Sequence, residues 1–337
     1  MRRIFFFTVF FFTVLGTIVL GVIFSMGVKN VFAYEIQTLP GTAVEGDIVL
    51  GPGKIEVWLE PGEKTTRTIY FTNRTGRTID FLVNIEDFKG SRDPKEGTIF
   101  MGEEKGPYSL KDYLHPEVEK FTLEQGQRIH LPIEIAIPED AEPGGRYGVV
   151  FVAALPPQIE VKPEGEEAKP MVGIISRVGC LFFVRVKGEV IEDGYLKSFE
   201  TKDAKKYFEK GPINFELLSE NKGNVHLASY GTIEITNLLG KKVGELEVDP
   251  YFSIPNSVRL REIKWDKELL FGRYIALAKI NRGYQDIIDQ KSFDFWVIPW
   301  KVILAGLVGL YLIIWFFKWI VSHLEIRKKT PSGSSKI

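Results

Sequence analysis

Three of the histidines, His115, His130 and His226, lie far apart in the sequence, and the one cysteine, Cys180, is near none of them. Zinc sites draw on closely spaced Cys and His, so each of these residues reads as a structural histidine, with His130 on a strand between Ile129 and Leu131. No H-E-x-x-H, G-x-S-x-G or Walker pattern occurs, which leaves zinc protease, hydrolase and nucleotide chemistry without a nucleus. Carboxylates gather at Asp80, Glu86 and Asp87, and again at Glu139, Asp140 and Glu142. Neither group has EF-hand spacing, and both read as solvated surface. Asn73-Arg74-Thr75 matches the glycosylation triplet, a pattern frequent by accident. The sequence therefore predicts no catalytic residue, metal ligand or cofactor, and a protein that is not an enzyme.

Binding chemistry is better represented. The stretch from Lys89 to Glu119 is rich in Gly, Pro and charge and carries Phe100, Tyr108, Lys111, Tyr113 and His115. Ring faces suited to sugars or peptides alternate there with hydrogen-bonding groups, on a loop longer than a sandwich requires. These five residues are the predicted contact site, with Ser109 placed to cap one helical turn through Leu110 to Leu114. The alternative is that Leu110, Tyr113 and Leu114 close one end of a core.

Strands must position that loop. The chain has 337 residues, a net charge of -1 and 13% aromatic residues, which excludes disorder and a disulfide scaffold. From Lys54 onward, short β-branched and aromatic runs are separated by turn residues, the signature of sandwiches rather than of βαβ units. Runs at 55–59, 65–73, 78–88, 121–123, 129–137, 147–155 and 172–186 predict a first module over residues 34–187. Runs at 195–201, 213–219, 231–237, 243–248, 258–264, 274–281 and 292–297 predict a second over residues 188–296. The polar stretch at 156–170 reads as a projecting hairpin loop, since the strand after it would otherwise be orphaned. Trp58, Tyr147, Cys180, Trp265 and Tyr274 are expected in or near the cores, Cys180 as a buried, inert thiol.

The ends are different. Residues 1–33 begin with Arg2 and Arg3, continue through an apolar run from Ile4 to Phe24, and reach Val31-Phe32-Ala33. This is the order of a signal peptide cleaved after Ala33, although the run is also long enough for an uncleaved anchor. Val302 to Val321 would rise about 30 Å as a helix, enough to span the hydrocarbon layer. Trp296 and Trp300 before it and Trp319 at its far end form aromatic belts, so residues 297–321 are read as a transmembrane helix with its interfacial flank. Arg327-Lys328-Lys329 places the tail, 322–337, in the cytoplasm and the body outside the plasma membrane. Residues 34–301 contain 35 basic and 43 acidic residues, a balance that repels nucleic acid.

The two modules share motifs. Asn73 precedes Gly76 and Gly145-Arg146-Tyr147 opens an apolar run; Asn221 precedes Gly223 and Gly272-Arg273-Tyr274 opens another. Asn beside Gly suits a left-handed turn, and a Tyr at a strand entrance can return its hydroxyl to upstream backbone, as in the tyrosine corner. The expected fold is all-β, two tandem immunoglobulin-like β-sandwiches between a signal peptide and one C-terminal transmembrane helix. Residues 54–88, 108–152 and 219–243 resemble bacterial WxL-interacting surface proteins, the stretch Ile137-Pro138-Glu139-Asp140-Ala141-Glu142-Pro143-Gly144 most specifically, and more remotely periplasmic pilus chaperones. The resemblance implies a non-enzymatic cell-surface binding and adhesion protein, whose first domain contacts peptidoglycan and whose second contacts another surface protein. A membrane-tethered chaperone or assembly factor for exported proteins is the alternative.

Overall fold

The computed structural model describes residues 34–155 and 176–323. The expected signal peptide, the hairpin loop at 156–170 and the basic tail from residue 324 onward lie outside the described residues. Strands in chain order are β1 (Glu35–Thr38), β2 (Asp47–Gly51), β3 (Lys54–Leu59), β4 (Lys64–Arg74), β5 (Ile79–Gly90), β6 (Thr98–Phe100), β7 (Leu114–Pro116), β8 (Lys120–Leu123), β9 (Gln127–Ala136), β10 (Gly144–Ala154) and β11 (Arg177–Val186). A second set follows: β12 (Gly194–Thr201), β13 (Tyr207–Phe208), β14 (Ile213–Asn221), β15 (Leu227–Asn237), β16 (Lys242–Ser253), β17 (Ser257–Trp265), β18 (Gly272–Asn281) and β19 (Ile288–Val297). The helix α1 (Trp300–His323) closes the described chain.

The first set packs as two sheets, ordered β1-β9-β4-β2 and β3-β11-β10-β5-β6, with β7 beside β9 and β8 beside β5. The second forms sheets β12-β14-β17 and β13-β19-β18-β15-β16. The protein is all-β, built from two immunoglobulin-like sandwiches with one terminal helix. The first core gathers Phe71, Phe81, Leu123, Ile133, Val150, Cys180 and Phe182, the second Phe215, Ile233, Trp265, Tyr274, Ala276 and Phe295. Alternating strand faces turn these residues inward, and interdigitation of the two inner faces fills each core.

The topology repeats. β4 pairs β9 as β14 pairs β17, and β5-β10-β11 has its counterpart in β15-β18-β19. In both sandwiches a strand crosses to the other sheet and pairs in parallel with the last strand, β3 with β11 and β13 with β19. The Asn-Gly motif has the same role in each half. Asn73 Nδ2 donates to Arg77 O and Leu123 O while its Oδ1 accepts Thr75 N–H. Asn221 Nδ2 donates to Val225 O and Ser253 O while its Oδ1 accepts Gly223 N–H. Each buried amide pins a strand-to-strand turn to a neighbouring strand, satisfying polar groups that burial would otherwise leave unpaired.

Two expectations are corrected and one is refined. Trp58 is 57% exposed: β3 alternates Ile55, Val57 and Leu59 into the core, so Trp58 has the outward parity and packs under the Arg185 guanidinium, 4.8 Å from the ring centre. Ser109 caps nothing, and its buried Oγ has no hydrogen-bond partner among the described residues. The helical piece is a 3-10 turn, Lys111–Tyr113, and Asp87 reaches across from β5 to accept the N–H groups that a cap would take. Of the two strand-entry tyrosines, Tyr274 makes the corner, its hydroxyl accepting Phe271 N–H at 3.1 Å and donating to Phe271 O at 3.2 Å. Tyr147 does not, because its hydroxyl meets the second sandwich instead, at His226 Nδ1. Cys180 is fully buried, and burial pushes its thiol up to about 12, so it has negligible thiolate at neutral pH.

Candidate interaction surfaces

The two sandwiches share a third core. Phe88, Tyr147, Val149, Phe151 and Phe183 of the first close over Ile254 of the second, with Phe252 and Tyr108 packed at the margin. Phe183 is central: its ring centre lies 4.7 Å from that of Phe252, 4.9 Å from His226, 5.4 Å from Tyr147 and 5.5 Å from Phe88. The other face of β10 and β11 serves this joint, which explains why β10 is apolar without alternation and is buried on both sides.

Polar bonds ring the joint. Gly145 N–H donates to Asn224 O at 2.8 Å, Val258 N–H donates to Ser91 O at 3.0 Å, and Asn256 Nδ2 donates to the Tyr108 hydroxyl at 2.7 Å. His226 bridges the two halves, with Nε2 at 2.8 Å from Glu56 Oε1 and Nδ1 at 3.4 Å from the Tyr147 hydroxyl. Its neighbours are those of a satisfied structural histidine. The His226 hydrogen bond holds the Glu56 carboxyl down to about 2, against the opposing effect of burial and with help from Lys54. A carboxylate whose folded pKa lies below its ordinary 4.5 stabilises the fold fully above that value, and loses the contribution as pH falls through the folded pKa. The melting temperature should therefore fall between about pH 4.5 and 2, and Glu56→Gln should flatten that part of the fall. Identical acid profiles for the two proteins would show that the bridge contributes nothing.

The five residues predicted as a contact site are not gathered on one surface. Tyr108 belongs to the joint. Tyr113 packs against the first core. Lys111 Nζ donates to Glu103 O at 2.7 Å, tying the loop to itself. Phe100 is partly exposed on β6, edge-on to Phe151 with ring centres 5.1 Å apart. His115 is exposed and, with Glu103, Pro116 and Glu119, lines an open cleft of about 470 Å³ along β5. Sequence spacing placed them on one loop, but that loop wraps from the joint to the far side of β5. The carboxylate that organises it, Asp87, is expected from the sequence to be solvated surface with Asp80 and Glu86, but it is fully buried, because it accepts the backbone N–H groups of Gly106, Leu110 and Lys111.

A different feature of the first sandwich is backbone without a strand partner among the described residues. Parallel β3 covers β11 only from Leu181 onward, through Leu181 N–H to Gly53 O. Strand alternation turns the N–H and C=O groups of Gly179 and Arg177 to the same side, where no strand covers them among the described residues. Ile48 and Leu50 of β2 and Val178 of β11 border this seam half-buried against the core. Such an edge offers a row of backbone partners beside an incompletely covered apolar face.

Among the described residues, no group of three or more His, Cys, Asp or Glu is placed to hold a metal ion. One helix there, α1, is long and apolar enough to cross a membrane, and none of its residues is buried against the body.

No protein-family model matches the chain and no curated protein matches it. Solved structures to which it is similar include the class 5 fimbriae chaperone CfaA, at 11% identity over 75% of this chain and 100% of that one, with a TM-score of 0.35. The E. coli chaperone DraB gives 15% identity over 74% and 97%, with a TM-score of 0.32. The CsuC-CsuE chaperone-tip adhesion subunit pre-assembly complex of Acinetobacter baumannii gives 12% over 74% and 98%, with a TM-score of 0.33. The likeness is one of strand arrangement. These three repeat the remote pilus-chaperone likeness, and none of them is a WxL-interacting protein.

Proposed function

We propose that the chain is a membrane-held, non-catalytic protein-binding body whose first sandwich takes up an extended segment of another exported protein. The observation that carries this reading is the seam at Arg177–Cys180. An extended segment laid there would pair with the backbone of Arg177 and Gly179, and its alternate side chains would cover Ile48, Leu50 and Val178. That is the holding or assembly role rather than adhesion to peptidoglycan, for which no platform of gathered rings among the described residues offers support. In this reading α1 spans the plasma membrane, the basic cluster after it stays in the cytoplasm, and the body stands outside, where exported chains emerge.

Photo-crosslinking in cells separates the alternatives. A photoreactive residue in place of Val49 or Arg177 of the full-length chain should capture an exported protein, whereas one in place of Asp249 on β16 should not. Capture at neither seam position, or equal capture at all three, rejects the seam as the site. Sedimentation of the full-length chain with purified sacculi, unchanged by seam substitutions, would return the peptidoglycan reading to first place.

A further inference from the structure

The second sandwich has an end unlike the rest of the body. Asn237 pairs with Tyr274, Gly272 with Val297, Tyr207 with Trp296 and Ile213 with Trp265. The turn at 238–241, the loop at 266–271, the segment at 202–212 and the entry to α1 at 298–300 therefore all open at one end. These pieces are joined to one another: Gly211 N–H donates to Glu268 O at 3.2 Å, Lys267 Nζ to Val243 O at 3.5 Å, and Lys301 pairs with Glu209 at 2.9 Å.

The five most exposed large apolar residues of the described body are all on this cap: Leu269 at 91%, Leu239 at 88%, Phe271 at 71%, Leu238 at 67% and Tyr207 at 66%. Single exposed apolar side chains need no explanation, but a concentration at one end marks a surface meant to be covered. The turn that presents Leu238 and Leu239 is pre-formed, since Asn237 Oδ1 accepts the N–H groups of Leu239 and Lys241.

Two observations say what covers it. The first is continuity with the helix: Leu269, Leu270 and Phe271 share a cavity of about 520 Å³ with Pro299 and Val302 of the helix entry and first turn. A helix rises about 1.5 Å per residue, so a bilayer entered at Trp300 brings its headgroup boundary to the level of this loop. The second is charge. The four cap segments hold six lysines, Lys202, Lys205, Lys206, Lys210, Lys241 and Lys267, against four carboxylates, with Lys242 and Lys301 directly beside them, in a body that is acidic overall. Apolar tips ringed by lysine are the composition of a surface that rests on anionic lipid.

We propose that this cap docks on the anionic bilayer surface, with Leu238, Leu239, Leu269 and Phe271 at the boundary between headgroups and acyl chains. The body then stands on the membrane in a fixed orientation, with the joint and the first sandwich held away from it, instead of swinging on a tether. The proposal rests on α1 spanning the bilayer.

The test uses the full-length chain, with Cys180→Ala, in nanodiscs of equal parts phosphatidylcholine and phosphatidylglycerol. An environment-sensitive nitrobenzoxadiazole label is placed in turn at Leu239→Cys, Leu269→Cys, Glu103→Cys and, within the helix, Ile314→Cys. Labels at 239 and 269 should emit to the blue of the label at 103 and be quenched by headgroup-attached nitroxide, with a smaller shift in discs of phosphatidylcholine alone. Water-like emission at 239 and 269, with the 314 label quenched by nitroxide deep in the acyl layer, overturns the docked cap and leaves the anchor intact. Water-like emission at 314 as well removes the anchor and the cap together. An equal shift in neutral discs overturns the part assigned to the lysines.

Discussion

Phe183→Ala should destabilise the protein by roughly 3–5 kcal/mol, the range for removing a buried phenylalanine where the surroundings close only partly. Phe183 is fully buried where both sandwiches meet. Its ring touches those of Phe88 and Tyr147 from one side and His226 and Phe252 from the other, and Lys54 Nζ lies 5.4 Å from its centre. The cavity would open in the joint rather than in either sandwich core. Calorimetry of the full-length chain in detergent should accordingly show one transition separating into two, as the sandwiches lose their coupling. Phe183→Leu keeps most of the volume and should cost less than about 1.5 kcal/mol while retaining one transition. If the alanine variant melts in a single transition near the wild-type temperature, the shared core does not couple the two halves.

That joint marks the limit of what could be read in the sequence. Alternation at Ile55, Val57 and Leu59, and the paired Asn-Gly and Gly-Arg-Tyr motifs, were enough to expect two related sandwiches, because such patterns report local turns and strand faces. The same local logic could not tell which apolar face of β10 belongs to a core and which to a neighbouring domain. Val149 and Val150 differ only in parity, yet one serves the joint and the other the first core. Trp58, expected in or near a core, is turned outward by its position in β3, whose parity is opposite to that of Ile55, Val57 and Leu59. The short strands β1, β2, β6, β7 and β13 were missed because three to five residues, or only two in β13, carry too little periodicity to distinguish from loop. The contact site was least legible of all. Residues 89–119 read as one loop that serves either contact or core closure; Leu110, Tyr113 and Leu114 do close on the first core, while the rest is distributed between the joint and an open cleft.

Asp87→Ala should be the most damaging polar substitution in the first sandwich. Asp87 is fully buried, and its carboxylate accepts three backbone N–H groups, from Gly106 to Oδ2 and from Leu110 and Lys111 to Oδ1, each at 2.9 Å. Its hydrogen bonds are therefore to backbone N–H groups, with Lys105 near enough to add a coulombic attraction. Hydrogen bonds to a charged group contribute about 1.5–3 kcal/mol each, and stranding buried donors adds their desolvation penalty, so a loss on the order of 3–5 kcal/mol is expected. The damage should begin locally: released from Asp87, the stretch from Gly102 to Asp112 should become the first site of proteolytic cleavage, while Phe215 and Phe295 in the second core stay protected. Asp87→Asn retains one oxygen for Leu110 and Lys111 but turns an amide donor against the Gly106 N–H, so its cost should be intermediate, about 1–3 kcal/mol. Equal stability of the alanine variant and the wild type, with the loop still protected, would mean that the 3-10 turn is held by Leu110 and Leu114 packing rather than by the carboxylate. The expected order, wild type above asparagine above alanine, follows from counting donors left without an acceptor.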